Sequence, residues 1–235
     1  MPAAVFHALV FGLPAFLFST TVHEAAHAWS ALRLGDPTAY LGGQLSLSPW
    51  PHVRRSPIGM LVIPLVTSLT HGWTMGWAQA PCDPAWADRH PRRAALMSLA
   101  GPLGNLAIAL AAFGLIQAGL ALGAFEPPPT ATVQHLVSNA MPPDALQAGD
   151  FLAEGLSVVL ALNALLFVLN LLPLPPLDGA SVWTLLLPNH AARAIRSAGA
   201  APGLALVGIL ATWQLVPALT APVLAMVAKL LYPVS

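Results

Sequence analysis

The stretch "TTVHEAAHAW", Thr20–Trp29, sets His23, Glu24 and His27 inside a run that is otherwise apolar. That run extends from about Ala4 to Leu32, and a spanning helix needs about 20 mainly apolar residues. As a helix, the stretch puts His23 and His27 four residues apart on one face, where both can hold one ion. Ionisable side chains in a spanning segment are costly, and by default they point to function. The plainer alternative is three residues near a helix end that reach interfacial water.

The rest of the chain agrees with a lipid setting. Only 8% of the 235 residues are charged and 57% are hydrophobic, whereas a soluble domain carries about 25% charged residues. The formal net charge is zero, so nothing points to nucleic acid. Cys82 is the only cysteine, which excludes a disulfide within the chain and a zinc site built on several thiolates. The opening residues lack the positive n-region of a cleaved signal peptide and read as the start of a retained span. The expected architecture is an all-α polytopic membrane protein, one domain over residues 1–235, with a catalytic core at about 4–187 and a C-terminal helix at about 203–231.

Three further segments are long enough to span: about Ala94 to Phe125, Phe151 to Leu174, and Gly203 to Leu231. A fifth apolar piece, residues 57–75, is shorter and is broken by Pro57, Gly59 and Pro64. The basic residues bear on whether it crosses. With four spans, Arg33, Arg54, Arg55, Arg89, Arg92, Arg93, Arg193 and Arg196 all fall on one side. The loop from about Glu126 to Asp150, without Lys or Arg, falls on the other. That is the pattern of the positive-inside rule. The expectation is therefore a re-entrant element at 57–75, an arginine-rich cytoplasmic face, and both chain ends outside. The alternative is a fifth helix with reversed topology downstream. The alternation in "QLSLS" predicts a short β-hairpin near residues 40–50, and residues 72–84 read as a second extended piece. Together they predict a small sheet at the cytoplasmic membrane edge, whose exposed edge would suit an extended peptide.

"HEAAH" matches H-E-x-x-H, the zinc-peptidase arrangement in which the glutamate next to the first histidine can reach a water on the ion. A catalytic zinc usually takes three protein ligands and keeps one open position. Asp178 is a candidate for the third, being the only acid between Glu154 and the C-terminus. Pro173, Pro175 and Pro176 break the helix before it, and Gly179 allows a sharp turn beside it. An ordinary N-cap for the following helix is the competing role of Asp178. "GPLGN" puts Gly101, Pro102 and Asn105 inside the second span, where small residues permit close helix contact and asparagine can hydrogen-bond across it. Asn163 and Asn170 share a face of the third span. Asn105 and Asn163 read as interhelical glue. Asn170, nearest to Asp178, reads as a substrate-binding residue.

These residues resemble the site-2 protease family of intramembrane zinc metalloproteases, in its compact bacterial branch. "HEAAH" is similar to the family's first motif, "GPLGN" to its G-P-x-x-N helix, and "NLLPLPPLDG" to its N-x-x-P…D-G element. "GQLSLSPWPH", "PIGMLVIP" and "GWAQAP" add to a likeness that runs from about residue 10 to residue 185. Two departures stand out: Gln79 where relatives usually carry lysine, and "HVRRSP" where they commonly read "HIDP". The resemblance implies a three-helix core and one zinc ion per chain, set near the cytoplasmic face and held by His23, His27 and Asp178. It makes Glu24 the base and lets Asn170 contact the scissile peptide. The substrate implied is the single-span segment of a membrane-anchored protein, cut within the bilayer of the cell (inner) membrane. A membrane zinc transporter or metal-sensing protein is the rival from another class, although no internal repeat is visible. A relative that binds spanning segments without cutting them is a third possibility, which the intact Glu24 argues against.

Overall fold

The computed structural model describes residues 2–140, 146–199 and 202–233. Helices dominate. In chain order they are α1 (Ala3–Leu34), α2 (Thr38–Leu41), α3 (Pro49–Arg55), α4 (Ile58–His71), α5 (Pro84–Arg89) and α6 (Pro91–Ala121). After a short two-stranded sheet come α7 (Leu146–Asn170), α8 (Gly179–Val182), α9 (Asn189–Gly199) and α10 (Pro202–Leu231). Four helices are long and apolar enough to cross a membrane: α1, α6, α7 and α10. They correspond to the four segments expected from the sequence. The 32 residues of α1 reach about 48 Å at 1.5 Å per residue, well beyond a hydrocarbon layer of about 30 Å.

The long helices alternate in direction, and their contacts define two ends. At one end His7 of α1 pairs with Glu154 of α7, and Phe11 packs on Phe151 with ring centroids 4.7 Å apart. The loop after α6 joins them: the Leu136 N–H donates to Ser157 Oγ at 3.0 Å, and the Tyr232 hydroxyl donates to the Leu136 carbonyl at 2.8 Å. At the other end the arginine-bearing segments meet. Arg93 donates to the Leu34 carbonyl at 3.2 Å, Arg196 to the Ala87 carbonyl at 2.6 Å, and Arg55 to the Gln79 carbonyl at 3.1 Å. Between the ends, Ala109, Ala112 and Ile116 of α6 pack with Leu160, Ala161 and Ala164 of α7 and Val223 and Val227 of α10. Leu110, Leu115, Val207 and Leu210 stay exposed, as expected of helices whose outer surface faces lipid.

The exit from α1 is fixed locally. Gly35 takes a left-handed conformation (φ 104°), which favours glycine, and ends the helix. Asp36 is then buried, and its carboxylate accepts from the Thr38 N–H and, at 2.9 Å, from the Asp83 N–H. Those bonds hold the carboxyl below the usual carboxylate range in spite of its burial. They also tie the end of α1 to the start of α5, where Asp83 caps the Ala85 N–H and Pro84 occupies the first helical position.

Residues 57–83 make an excursion along α1 and return. The helix α4 has 14 residues, about 21 Å. It leads to Gly72, in a left-handed turn (φ 69°), where an added Cβ would sit 2.7 Å from Ala4 Cβ at the far end of α1. The return leg is extended. Thr74 Oγ1 donates to the Ala8 carbonyl, Trp77 N–H to the Gly59 carbonyl, and Asp83 N–H to Asp36. The two legs touch through glycine: a Cβ on Gly59 would lie 2.2 Å from the Trp77 carbonyl oxygen, and one on Gly76 2.2 Å from the Gly59 carbonyl oxygen.

The expected sheet at the arginine-rich edge is not formed there. Residues 38–41 and 49–55 are helical turns. Ser48 caps the Trp50 N–H with Pro49 at the first helical position, so helix-start chemistry overrides the "QLSLS" alternation. Residues 74–83 are extended but join no sheet among the described residues: Met75 N–H donates to Thr67 Oγ1 and Trp77 N–H to the Gly59 carbonyl, single bonds that make no ladder. The sheet present among the described residues pairs Phe125–Glu126 with Ser138–Asn139, antiparallel, at the opposite end. Crowding a Cβ between backbones costs about 1–3 kcal/mol. Gly59→Ala and Gly76→Ala should therefore each lower the thermal midpoint of the purified protein. Parent-like midpoints would contradict the close packing of the two legs.

Candidate metal centre

The helical repeat of α1 brings His23 and His27 to one inner face, both buried. Their Nε2 atoms are 3.0 Å apart. Asp178 Oδ2 completes a triangle, 3.0 Å from His23 Nε2 and 3.3 Å from His27 Nε2. Among the described residues, these three form one group able to hold a metal ion.

The third corner is delivered by a different local device. Asp178 begins α8, and its backbone carbonyl accepts from the Ser181 and Val182 N–H groups. Its side chain caps nothing, so the ordinary N-cap role does not account for it. Gly179 turns back against the end of α7, where a Cβ would sit 2.1 Å from the Leu172 carbonyl oxygen. Trp183 Nε1–H braces the same turn by donating to the Leu171 carbonyl at 2.8 Å. On the other flank α6 passes close by at Gly101, where a Cβ would lie 2.3 Å from His27 Nε2 and 2.6 Å from His23 Nε2. Pro102 is buried beside it within the helix and, lacking an N–H, leaves the Ser98 carbonyl without its helical donor.

The outward ring nitrogens are also engaged. His27 Nδ1 lies 2.8 Å from the Met97 carbonyl, and His23 Nδ1 lies 2.6 Å from Asn105 Oδ1. Both contacts use an Nδ1–H, which leaves the Nε2 electron pairs facing each other and the Asp178 carboxylate. Three electron-pair donors at about 3 Å repel one another unless a proton or a metal cation lies among them. Zinc bonds of about 2.0–2.2 Å to nitrogen and oxygen fit a triangle of this size and leave a fourth position open. Glu24, beside His23, is 4% exposed, and its Oε2 has no hydrogen-bond partner. An orphaned buried carboxylate oxygen is costly in itself, and it suits a site that receives water or substrate.

The structure brings together most of the residues singled out in the sequence. Asn105 touches His23 directly, and Asn163 touches Asn105 at 2.9 Å. Asn170 stands apart: it ends α7, is half-buried, and its side chain makes no hydrogen bond to a described residue. Two contributors were not singled out. The Met97 carbonyl is a backbone group and leaves no mark in the sequence. Ser19 bonds Asn163 at 2.8 Å, and its place four residues before His23 on the same helical face was a usable signal.

Comparison with known proteins agrees with this geometry. The sequence model of peptidase family M50 matches residues 11–213. YwhC of Bacillus subtilis, a candidate zinc metalloprotease by name, is 34% identical over 173 residues, covering 73% of this chain and 67% of that protein. Rip2 of Mycobacterium tuberculosis, named in the same way, is 30% identical over 188 residues, covering 76% of this chain and 58% of its own length. Rip2 of Mycolicibacterium smegmatis is 28% identical over 164 residues, with 52% of its length covered. The chain thus spans little more than half of the mycobacterial relatives. No solved structure matches it significantly. The family match runs through both segments that supply the donor triangle and through α6 beside it, and the chain belongs to peptidase family M50, the site-2 proteases, and is a metalloprotease.

Proposed function

We propose that the chain is a zinc-dependent intramembrane endopeptidase that hydrolyses peptide bonds in or near the spanning segment of membrane-anchored proteins. The observation that carries this is the buried triangle of His23, His27 and Asp178 beside the unpartnered Oε2 of Glu24. Zinc bound by the triangle would polarise the scissile carbonyl and make a water acidic near neutral pH. Glu24 takes the proton of the attacking water and passes it to the leaving amine. Asn170, at the end of the helix that leads to Asp178, is assigned to hold the substrate backbone.

The substrate helix must open locally, because its own hydrogen bonds shield each peptide bond. The return leg 74–83 supports an extended binding mode. The N–H groups of Gly76, Ala78, Gln79 and Ala80 have no hydrogen-bond partner among the described residues, so an extended peptide can add along them. We assign the arginine-bearing end of the bundle to the cytoplasmic face of the cell membrane by the positive-inside rule. The centre then lies towards that face, both termini lie outside, and residues 57–83 enter and leave the membrane on the cytoplasmic side. A transporter would need further ligands leading across the bundle, and among the described residues one metal-holding group is found.

Metal analysis and cleavage of a single-span substrate in proteoliposomes test this reading together. Glu24→Gln should retain zinc and lose at least about 100-fold in cleavage rate, the usual contribution of a general base. Full activity of that variant would sink the mechanism, and zinc flux into vesicles without cleavage would favour a transporter. Gly101→Ala should lose zinc, because its Cβ would intrude on both Nε2 atoms. Normal zinc content in that variant would count against the assigned ligands.

A further inference from the structure

Asn105, Asn163 and Ser19 are all fully buried, and they form a continuous chain across α1, α6 and α7. The chain has one self-consistent set of hydrogen positions, anchored at two backbone carbonyls that can only accept. Asn163 faces the Val159 carbonyl at 2.8 Å, so the amide nitrogen must point there, and the same nitrogen donates to Ser19 Oγ at 2.8 Å. Asn163 Oδ1 is then left facing Asn105 at 2.9 Å, so Asn105 must present its own nitrogen to it. That nitrogen also faces the Ser19 carbonyl at 3.4 Å, again an obligate acceptor. Turning either amide over would set oxygen against oxygen. Asn105 Oδ1 is therefore fixed towards His23, and at 2.6 Å it requires the proton on Nδ1.

We propose that Asn105 is a positioning residue, and that Asn163 and Ser19 lock it so that His23 offers its Nε2 electron pair to the metal. The inference rests on the zinc reading given above. It assigns the pair more than adhesion between helices, which the Asn105–Asn163 bond alone would supply. A partner on the outward nitrogen of a ligating histidine orients the ring and raises its basicity, and removing such a partner typically costs 10–100-fold in metal affinity. The relay also couples α7 to a ligand that α1 carries.

The test is a double-mutant cycle on zinc affinity, measured by chelator competition on the full chain in lipid nanodiscs. Asn105→Ala should raise the zinc dissociation constant by roughly 10–100-fold. Asn163→Ala should raise it by less, and the double variant should bind no worse than Asn105→Ala alone, because Asn163 acts only through Asn105. An unchanged constant in Asn105→Ala, or full additivity in the double variant, overturns the relay. Ser19→Ala serves if Asn105→Ala does not fold. It removes only an acceptor of Asn163, so its constant should rise, and parent-like binding overturns the relay from the other end. His23→Ala separates the two levels. If the parent binds zinc no more tightly than His23→Ala, the zinc reading itself fails. If the parent binds far more tightly while Asn105→Ala matches the parent, only the relay fails.

Discussion

Three electron-pair donors converge in the apolar interior of a helical bundle, and the rest of the structure answers to that convergence. With neither a proton nor a metal cation among them, two imidazole nitrogens and a carboxylate at about 3 Å would drive apart. Holding them requires fixed protons on the far side of each ring and helices that cannot drift. The Met97 carbonyl supplies the first condition for His27, and Asn105 supplies it for His23. Close contact between α1 and α6 supplies the second. Buried Ala28, Ala31, Ala94 and Ala95 let the two backbones approach. Between lipid-facing helices, such packing and interhelical hydrogen bonds must replace the hydrophobic driving force that water provides elsewhere.

Glycine marks the places where that closeness is greatest. Gly101 passes the donor triangle with no room for a methyl group, and Gly179 folds the Asp178 turn onto the last carbonyls of α7. Gly59 and Gly76 do the same between the legs of the 57–83 excursion. In each case the glycine is set by a backbone or a ligand that another element brings near, not by the local conformation. A sequence reader sees the glycine but not the neighbour that demands it.

That difference explains what was legible beforehand. The four long helices were readable because length and hydropathy are local properties of α1, α6, α7 and α10. His23 and His27 were readable because the helical repeat alone puts them together, and Asp178 because it is the only acid after Glu154 and stands in a stretch similar to the family's N-x-x-P…D-G element. The hairpin near residues 40–50 was misread because alternation over five residues is weaker than a Ser48–Pro49 helix start. The short sheet at Phe125–Glu126 and Ser138–Asn139 has too few residues to show a period. The contacts of Asn105 with His23 and Asn163 lie 82 and 58 positions apart in sequence, so no local pattern could announce them.

The helix α7 serves the centre twice. Through Asn163 it steadies the support of His23, and through the turn at its end it carries Asp178. One corner, Asp178, thus hangs from α7 directly, and a second, His23, is carried by α1 but braced from α7. A tilt of that rod moves Asp178 and loosens the brace on His23 at the same time. The seating of α7 against α1 and α6 is therefore felt at two corners of the centre at once.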